Sequence, residues 1–341
     1  MTRTPTQQRA WDDLLAVDQP RPTPDPSWPA PLRARLEAAA REAVDDLPPD
    51  VTLRLNKSAL DALNCDGRYL DLRAQPFEWS PRLLLGKLAH RAIELDHAGG
   101  FQRPVRDLVA HAWMEAATDR GSAAAFVAEL GGVAADGLRG AVSQRVISFR
   151  ESFPALPPTA EVRSEKPYLV RLADGRVELR GVPDLVLGRA MATERRMLLV
   201  DIKTGGRGPH HLHDMRFYAL LATLATGIAP FRVATYYLDE AGWEHEDITF
   251  DHLEAAARTV ADKLVRAGAL GRQPAPEPLR LVPGPACRWC RRAPDCPAAA
   301  MASDVAAVVA DDAAGLTDDV AALVDEVAAV VPTWQTTLPP S

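Results

Sequence analysis

Three cysteines, Cys287, Cys290 and Cys296, fall within ten residues, and Cys65 is the fourth and last in a chain of 341. The spacing C-x2-C-x5-C plus a distant thiol makes a complete four-thiolate ligand set. It requires a fold in which position 65 returns to position 290. Closing so long a loop constrains the unfolded chain strongly, as a disulfide would. No basic segment followed by an apolar stretch opens the chain, so no export signal is expected and the location implied is cytoplasmic. In that reducing compartment thiols favour metal over disulfides. Zinc, an iron–sulfur cluster and unrelated thiols are the three readings. Structural zinc usually draws its ligands as nearby pairs, whereas cubane clusters accept all-thiolate ligation without a local hairpin.

The hydrophobic fraction of 47% supports a sizeable core, and the net charge of −7 argues against a protein that coats nucleic acid non-specifically. A local basic groove would still allow backbone contact. The apolar run near the C-terminus is interrupted by Asp304, Asp311, Asp312, Asp318 and Asp319, which excludes a membrane span. Residues 1–50 read as a proline-rich arm, poorly ordered to residue 31 apart from a contact near Trp28, followed by a helix over 32–46. Residues 51–160 read as helical. A short helix opens at Asn56-Lys57-Ser58 with Ser58 as its cap and ends at Cys65. A second covers 81–98 with Pro81 in its first turn, and two more cover 104–153.

From 161 to 270 the period changes. Strands are expected over 165–171 and 177–187, joined by a turn at Ala173-Asp174-Gly175. A mostly apolar, central strand follows over 195–203, then a helix over 211–226, a strand over 231–238 and a helix over 251–268. Residues 271–297 form the cysteine loop and 298–341 a peripheral acidic tail. Strands alternating with helices imply a layered α/β or α+β core.

Chemistry concentrates in Gly181-Val182-Pro183-Asp184 and Asp201-Ile202-Lys203. In a strand, residues i and i+2 share a face, so Asp201 and Lys203 point one way and Ile202 the other. If the strands are neighbours, Asp184 converges on them. Two close carboxylates repel unless a hard divalent cation holds them. Such an ion polarises a phosphoryl oxygen and acidifies a bound water, while Lys203 orients the water or stabilises developing charge. The plain alternative is an Asp–Lys pair at a surface strand end.

Together, Pro183-Asp184, Asp201-Ile202-Lys203 and the following Thr204-Gly205 resemble the PD-(D/E)XK nuclease superfamily, and within it the RecB-like branch. The resemblance covers about residues 55–97 and 160–297. It implies a restriction-endonuclease-like core, a central mixed sheet flanked by helices, with a helical cap. It also implies that Ile202 lends its carbonyl to Mg2+ or Mn2+. Leu85-Gly86-Lys87-Leu88-Ala89-His90 is similar to the branch's G-x-x-x-H helix, which makes His90 a third metal ligand. Glu94, one turn on, is either its orienting partner or a surface acid. The branch's Q-x-x-x-Y helix is matched at Tyr218, but Asp214 stands where the glutamine would be and needs Arg216 or Arg207 to tolerate phosphate.

Ser58-Ala-Leu-Asp-Ala-Leu-Asn-Cys65-Asp-Gly-Arg-Tyr69 resembles the first-cysteine motif of iron–sulfur members of this branch, such as CRISPR-adaptation and end-resection nucleases. Cys65-Asp66 replaces the usual Cys-Pro. The resemblance thus implies a 4Fe-4S cluster on Cys65, Cys287, Cys290 and Cys296. Arg280, Arg288, Arg291, Arg292 and Trp289 around it suit phosphate contact and base stacking. Arg139 and Arg150, nearly three helical turns apart, read as a solvated helix face, and His210, His211 and His213 as a solvated loop. The implied activity is a metal-dependent DNA exonuclease acting on single strands or duplex ends. No G-x-x-x-x-G-K-[ST] loop is present, so a helicase would be a separate partner. The alternatives are a spacer-trimming CRISPR-adaptation nuclease working with an integrase, and a non-catalytic DNA-binding or assembly subunit.

Overall fold

The computed structural model describes residues 3–74, 77–208, 211–272 and 276–301. The tail beyond 301, His210 and part of the proline-rich 274–285 stretch lie outside the described residues. Contacts divide the chain into two units, Met1–Leu63 with Pro76–Pro276 and Asn64–Gln75 with Glu277–Ser341.

The first unit begins with helix α1 (Pro5–Arg9), whose cap Thr4 forms a reciprocal box with Gln7, and a π-turn over Ala10–Leu14. The proline-rich start is therefore not a poorly ordered arm. Ala10, Leu14 and Leu15 are buried in the core, and Trp243 Nε1 donates to Asp13 at 2.9 Å. This apolar group anchors a segment whose prolines suggest disorder. Helix α2 (Pro29–Asp45) leads to strand β1 (Leu53–Leu55) and helix α3 (Lys57–Ala62). Asn56, not Ser58, caps α3, accepting from the Ala59 N–H at 2.9 Å.

Helix α4 (Asp66–Ala74) belongs to the second unit. Back in the first, α5 (Pro81–Ala98) is capped by Ser80 with Pro81 in its first turn. Residues 104–153 form three helices rather than two: α6 (Val105–Thr118), α7 (Ser122–Glu129) and α8 (Gly132–Ser152). Gly121 and Gly131 precede the last two, where glycine's freedom breaks the helical run. Within this bundle, buried Asp96 receives both Nε and Nη2 of Arg150 at 2.7 and 2.5 Å. Arg150 is thus a structural ion pair, not part of a solvated face.

Two sheets follow. The first runs β1-β4-β3, from β3 (Tyr168–Leu172), the turn at Ala173–Gly175 and β4 (Val177–Gly181), with β1 parallel to β4. The second runs β2-β5-β6-β7-β8, with β2 (Arg163–Ser164), β5 (Leu185–Leu187), β6 (Leu198–Lys203), β7 (Arg232–Tyr237) and β8 (Gly242–Asp247). The single strand expected over 177–187 is two, one in each sheet. Pro183 has no N–H to donate, so the ladder ends there and the chain changes sheets. Helix α9 (His211–Thr226) supplies the crossover that parallel β6 and β7 require. Strand β8, a half-exposed edge, is absent from the sequence reading. Helix α10 (Phe250–Gly271) closes the unit against α2, so closely that a Cβ at Gly268 would overlap Ala43. The main core joins α5, α6 and α8 to one face of β5–β7.

In the second unit, α4 is fixed to the segment after residue 277. Asp66 is fully buried, its N–H donating to the Arg280 carbonyl at 3.0 Å and its carboxylate accepting from the Arg280 N–H at 2.5 Å. Cys287 lies in a short 3-10 turn over Pro285–Trp289 that Cys290 ends, and Cys296 ends a second turn over Ala293–Asp295. Among the described residues, no helix is long and apolar enough to cross a membrane.

Candidate active site

Register decides the centre. Strand β5 pairs antiparallel with β6 through Leu185↔Val200, and one step further along that ladder Asp184 faces Asp201. The Asp184 carboxylate accepts the Ile202 N–H at 2.5 Å. Ile202 is buried in the core, while Asp201 and Lys203 turn to the opposite face, where the lysine ammonium contacts Asp201 Oδ2. From α5, His90 Nδ1 lies 3.1 Å from Asp184 Oδ1. Glu94 does not orient His90; it is held by Arg91 at 2.6 Å.

Tyr218, on α9, is buried beside the same group, and the approach of α9 depends on Gly181. A Cβ on Gly181 would lie 2.7 Å from Tyr218 Cδ1 and 2.9 Å from Leu221 Cδ1. Asp214 takes neither arginine expected of it. Arg216 binds Glu246 and Arg207 binds Glu240 and Glu244. Asp214 pairs with Lys57, the first residue of α3, among others; the Lys57 ammonium lies 3.6 Å from Asp214 Oδ2, 3.7 Å from Asp201 Oδ1 and 5.7 Å from the centre of the Tyr218 ring.

Lys57 and Glu165 are the residues sequence reasoning missed. Nothing local marks Lys57, which follows a helix cap as many surface lysines do. Glu165 has a left-handed φ of 45° and donates its N–H to the Asp184 carbonyl at 2.9 Å. Burial, then Glu94 and Asp184, raise its carboxyl above the usual range.

The electrostatics follow from crowding in a dry place. Burial favours neutral Asp201, but Lys57, Lys203 and His90 outweigh it and hold the carboxyl below its ordinary value. Burial likewise opposes the Lys57 charge, and Asp201, Tyr218 and Asp214 overcome it and raise the ammonium. Burial lowers His90, yet Asp184 beside it pushes the imidazole up to about 9. Burial and Asp201 raise the Tyr218 phenol. Among the described residues, no three His, Cys, Asp or Glu side chains are gathered as a ready metal sphere. The physical reason at this centre is that the carboxylates rest on Lys57, Lys203 and His90.

The family profile of the PD-(D/E)XK nuclease superfamily matches residues 63–297, more than half of the chain. The chain belongs to the PD-(D/E)XK nuclease superfamily. Its mixed α/β architecture accords with the restriction-endonuclease-like fold of that superfamily, whose members use divalent metals such as Mg2+ or Mn2+. A solved structure, "Crystal structure of SSO0001", is similar at 11% identity and a TM-score of 0.32, over 78% of this chain and 95% of that one. No curated protein matches. This PD-(D/E)XK chain is accordingly a metal-dependent, phosphodiesterase-type nuclease.

The four cysteines all fall in the second unit, unpaired and half-buried. The Val282 N–H donates to Cys65 Sγ at 3.5 Å. Burial raises the Cys290 thiol, against a hydrogen bond from the Arg292 backbone, and Asp71, Cys65 and Cys296 add to the rise. Trp289 is 68% exposed, with the Arg288 guanidinium 4.5 Å from its ring centre. The described histidines of the 210–213 run part company. His213 is exposed, while His211 is buried with Nδ1 3.0 Å from the Tyr237 hydroxyl, contrary to a wholly solvated loop.

Proposed function

We propose that this chain is a DNA exonuclease of the RecB-like branch, acting on single strands or duplex ends, with a 4Fe-4S cluster in its second unit. The observation that carries the reading is the convergence of Asp184, Asp201 and Lys203, at facing ends of β5 and β6, with His90 from the middle of helix α5. The donors suit a hard divalent ion. They are two carboxylates, one imidazole and the Ile202 carbonyl, and Asp201 Oδ2 is buried without a hydrogen bond of sound geometry. Asp184, Asp201, His90 and Ile202 would hold Mg2+ or Mn2+, which when bound supplies Lewis acidity toward the phosphate and an acidified water.

The protein's own groups do the rest. The Ile202 N–H fixes the Asp184 carboxylate, so its remaining oxygen keeps one direction. Lys203, partly exposed and resting on Asp201 Oδ2, would turn its ammonium toward the attacking water and the developing charge. Tyr218 closes the inner wall and excludes solvent. In the second unit the four thiols are unpaired but, among the described residues, not gathered as a ready metal sphere. The reading of an all-thiolate cluster on Cys65, Cys287, Cys290 and Cys296 is supported by their number and spacing and by their place in one unit. Trp289, with Arg288, Arg291 and Arg292, offers a stacking and phosphate-binding surface for DNA.

The test is cleavage of end-labelled linear and circular single-stranded DNA, and of duplex DNA, with Mn2+. The full chain should shorten linear DNA from its ends and spare circles, and Asp201→Ala or Lys203→Ala should abolish cutting while leaving iron content unchanged. Cleavage of circles would replace exonuclease by endonuclease. Near-wild-type cutting by either variant would remove the assigned centre.

A further inference from the structure

Asp201 is a carboxylate between two ammoniums. Lys203 contacts Oδ2, and Lys57 lies on the Oδ1 side at 3.7 Å. The two lysines are not equivalent. Among the described residues Lys203 has only Asp201 as its acidic contact, and its side chain is 21% exposed, so it can turn toward solvent. Lys57 is clamped from a second direction by Asp214 at 3.6 Å and faces the Tyr218 ring. Its position is fixed from the backbone as well. Strand β1 is locked in parallel register to β4 through Leu55↔Leu179, and the Asn56 cap starts α3 one residue before Lys57.

We infer that Lys57, positioned by Asp214, is a permanent active-site cation that occupies the Oδ1 side of Asp201 and takes the place of a second divalent ion. The inference rests on the nuclease reading above and deepens it. Oδ2, the oxygen without a sound hydrogen bond, is the one left for a metal once Lys203 swings out. Oδ1 stays with Lys57, so Asp201 cannot bridge two ions. Charge agrees: a second divalent ion on the Oδ1 side of Asp201 would meet the Lys57 ammonium, 3.7 Å from that oxygen. The aspartate at 214 is then no defect: it would repel phosphate alone, but paired with Lys57 it is neutralised and holds the ammonium toward the scissile group.

The experiment counts Mn2+ bound to the full chain by electron paramagnetic resonance, taking as site ions those lost on Asp201→Ala. It is paired with steady-state cleavage of a labelled single-stranded oligonucleotide at saturating Mn2+. The wild type should bind one site ion, Lys57→Met two, and Lys57→Arg one. Lys57→Met should lower kcat at least about tenfold, with KM changed less, and Lys57→Arg should restore much of it. Asp214→Asn should move both readouts in the direction of Lys57→Met, by less. An unchanged ion count in Lys57→Met overturns the inference whatever the rate does. Lys203→Met separates the two failures: wild-type cutting by that variant sinks the nuclease reading itself, whereas its loss of cutting beside an unaltered Lys57→Met sinks only the role given to Lys57.

Discussion

Replacing Gly181 by Ala is a one-carbon perturbation aimed at the joint between the two sheets and the Tyr218 helix. Gly181 is not in the left-handed region, so alanine meets no backbone strain. With room for its methyl group the change would stabilise the chain by about 0.4–1 kcal/mol through the unfolded state. There is no room. The new Cβ would lie 2.7 Å from Tyr218 Cδ1, 2.9 Å from Leu221 Cδ1 and 3.0 Å from Tyr218 Cε1. Leucine can yield at its tip, but the buried ring must move with α9.

Overpacking of this kind costs about 1–3 kcal/mol, so a net loss of about 1–2 kcal/mol is expected. At roughly 2–4 °C per kcal/mol for a chain of this size, Tm should fall by about 2–8 °C. Cleavage should fall as well, because the displaced ring sits between Lys57 and β4. Calorimetry and an end-labelled cleavage assay read both. In a Leu221→Ala background the same substitution should cost less, by at least about 0.5 kcal/mol of coupling. A Gly181→Ala variant as stable as the parent or more so, with undiminished cleavage, would refute the argument.

Losing Cys65 leaves three thiolates. Cys65→Ala should therefore lose iron, sulfide and the visible absorbance near roughly 400 nm together, as read by anaerobic purification and metal analysis. Stoichiometric zinc without sulfide would overturn the cluster assignment. Asp96→Ala strands the Arg150 guanidinium and should cost about 3–5 kcal/mol in urea unfolding, whereas an Asp96→Leu/Arg150→Met pair should recover most of it. Burial pushes the Tyr236 phenol up to about 12, partly offset by its bond to Ser152. The folded chain then holds a proton that the unfolded chain releases, so stability is complete below about pH 10 and falls by roughly 2–3 kcal/mol as pH rises through about 12. Tyr236→Phe should lack that part of the alkaline loss in urea titrations at pH 8, 10 and 11.5.

Much of the chemistry was local in the sequence, for a geometric reason. A strand places i and i+2 on one face whatever surrounds it, so Asp201-Ile202-Lys203 alone fixes which side chains point together and which is buried. Pro81, the turn at Ala173–Gly175 and the apolar run of β6 act over a few residues and are equally legible. Properties set by partners distant in the chain were not. The prolines of residues 1–31 advertise disorder, but the burial of Ala10, Leu14 and Leu15 in the core overrides them. The break at Pro183 is visible, yet that the chain thereby changes sheets and brings Asp184 opposite Asp201 depends on pairings with two different neighbours. Lys57 lies about 140 residues from Asp201, and no local pattern distinguishes it from a solvated lysine; only the parallel pairing of β1 with β4 carries it to the carboxylate. The sequence by itself thus determined which residue types could do phosphodiester chemistry. The tertiary structure decided which charges share a desolvated site, because electrostatic coupling depends on distance through space rather than along the chain.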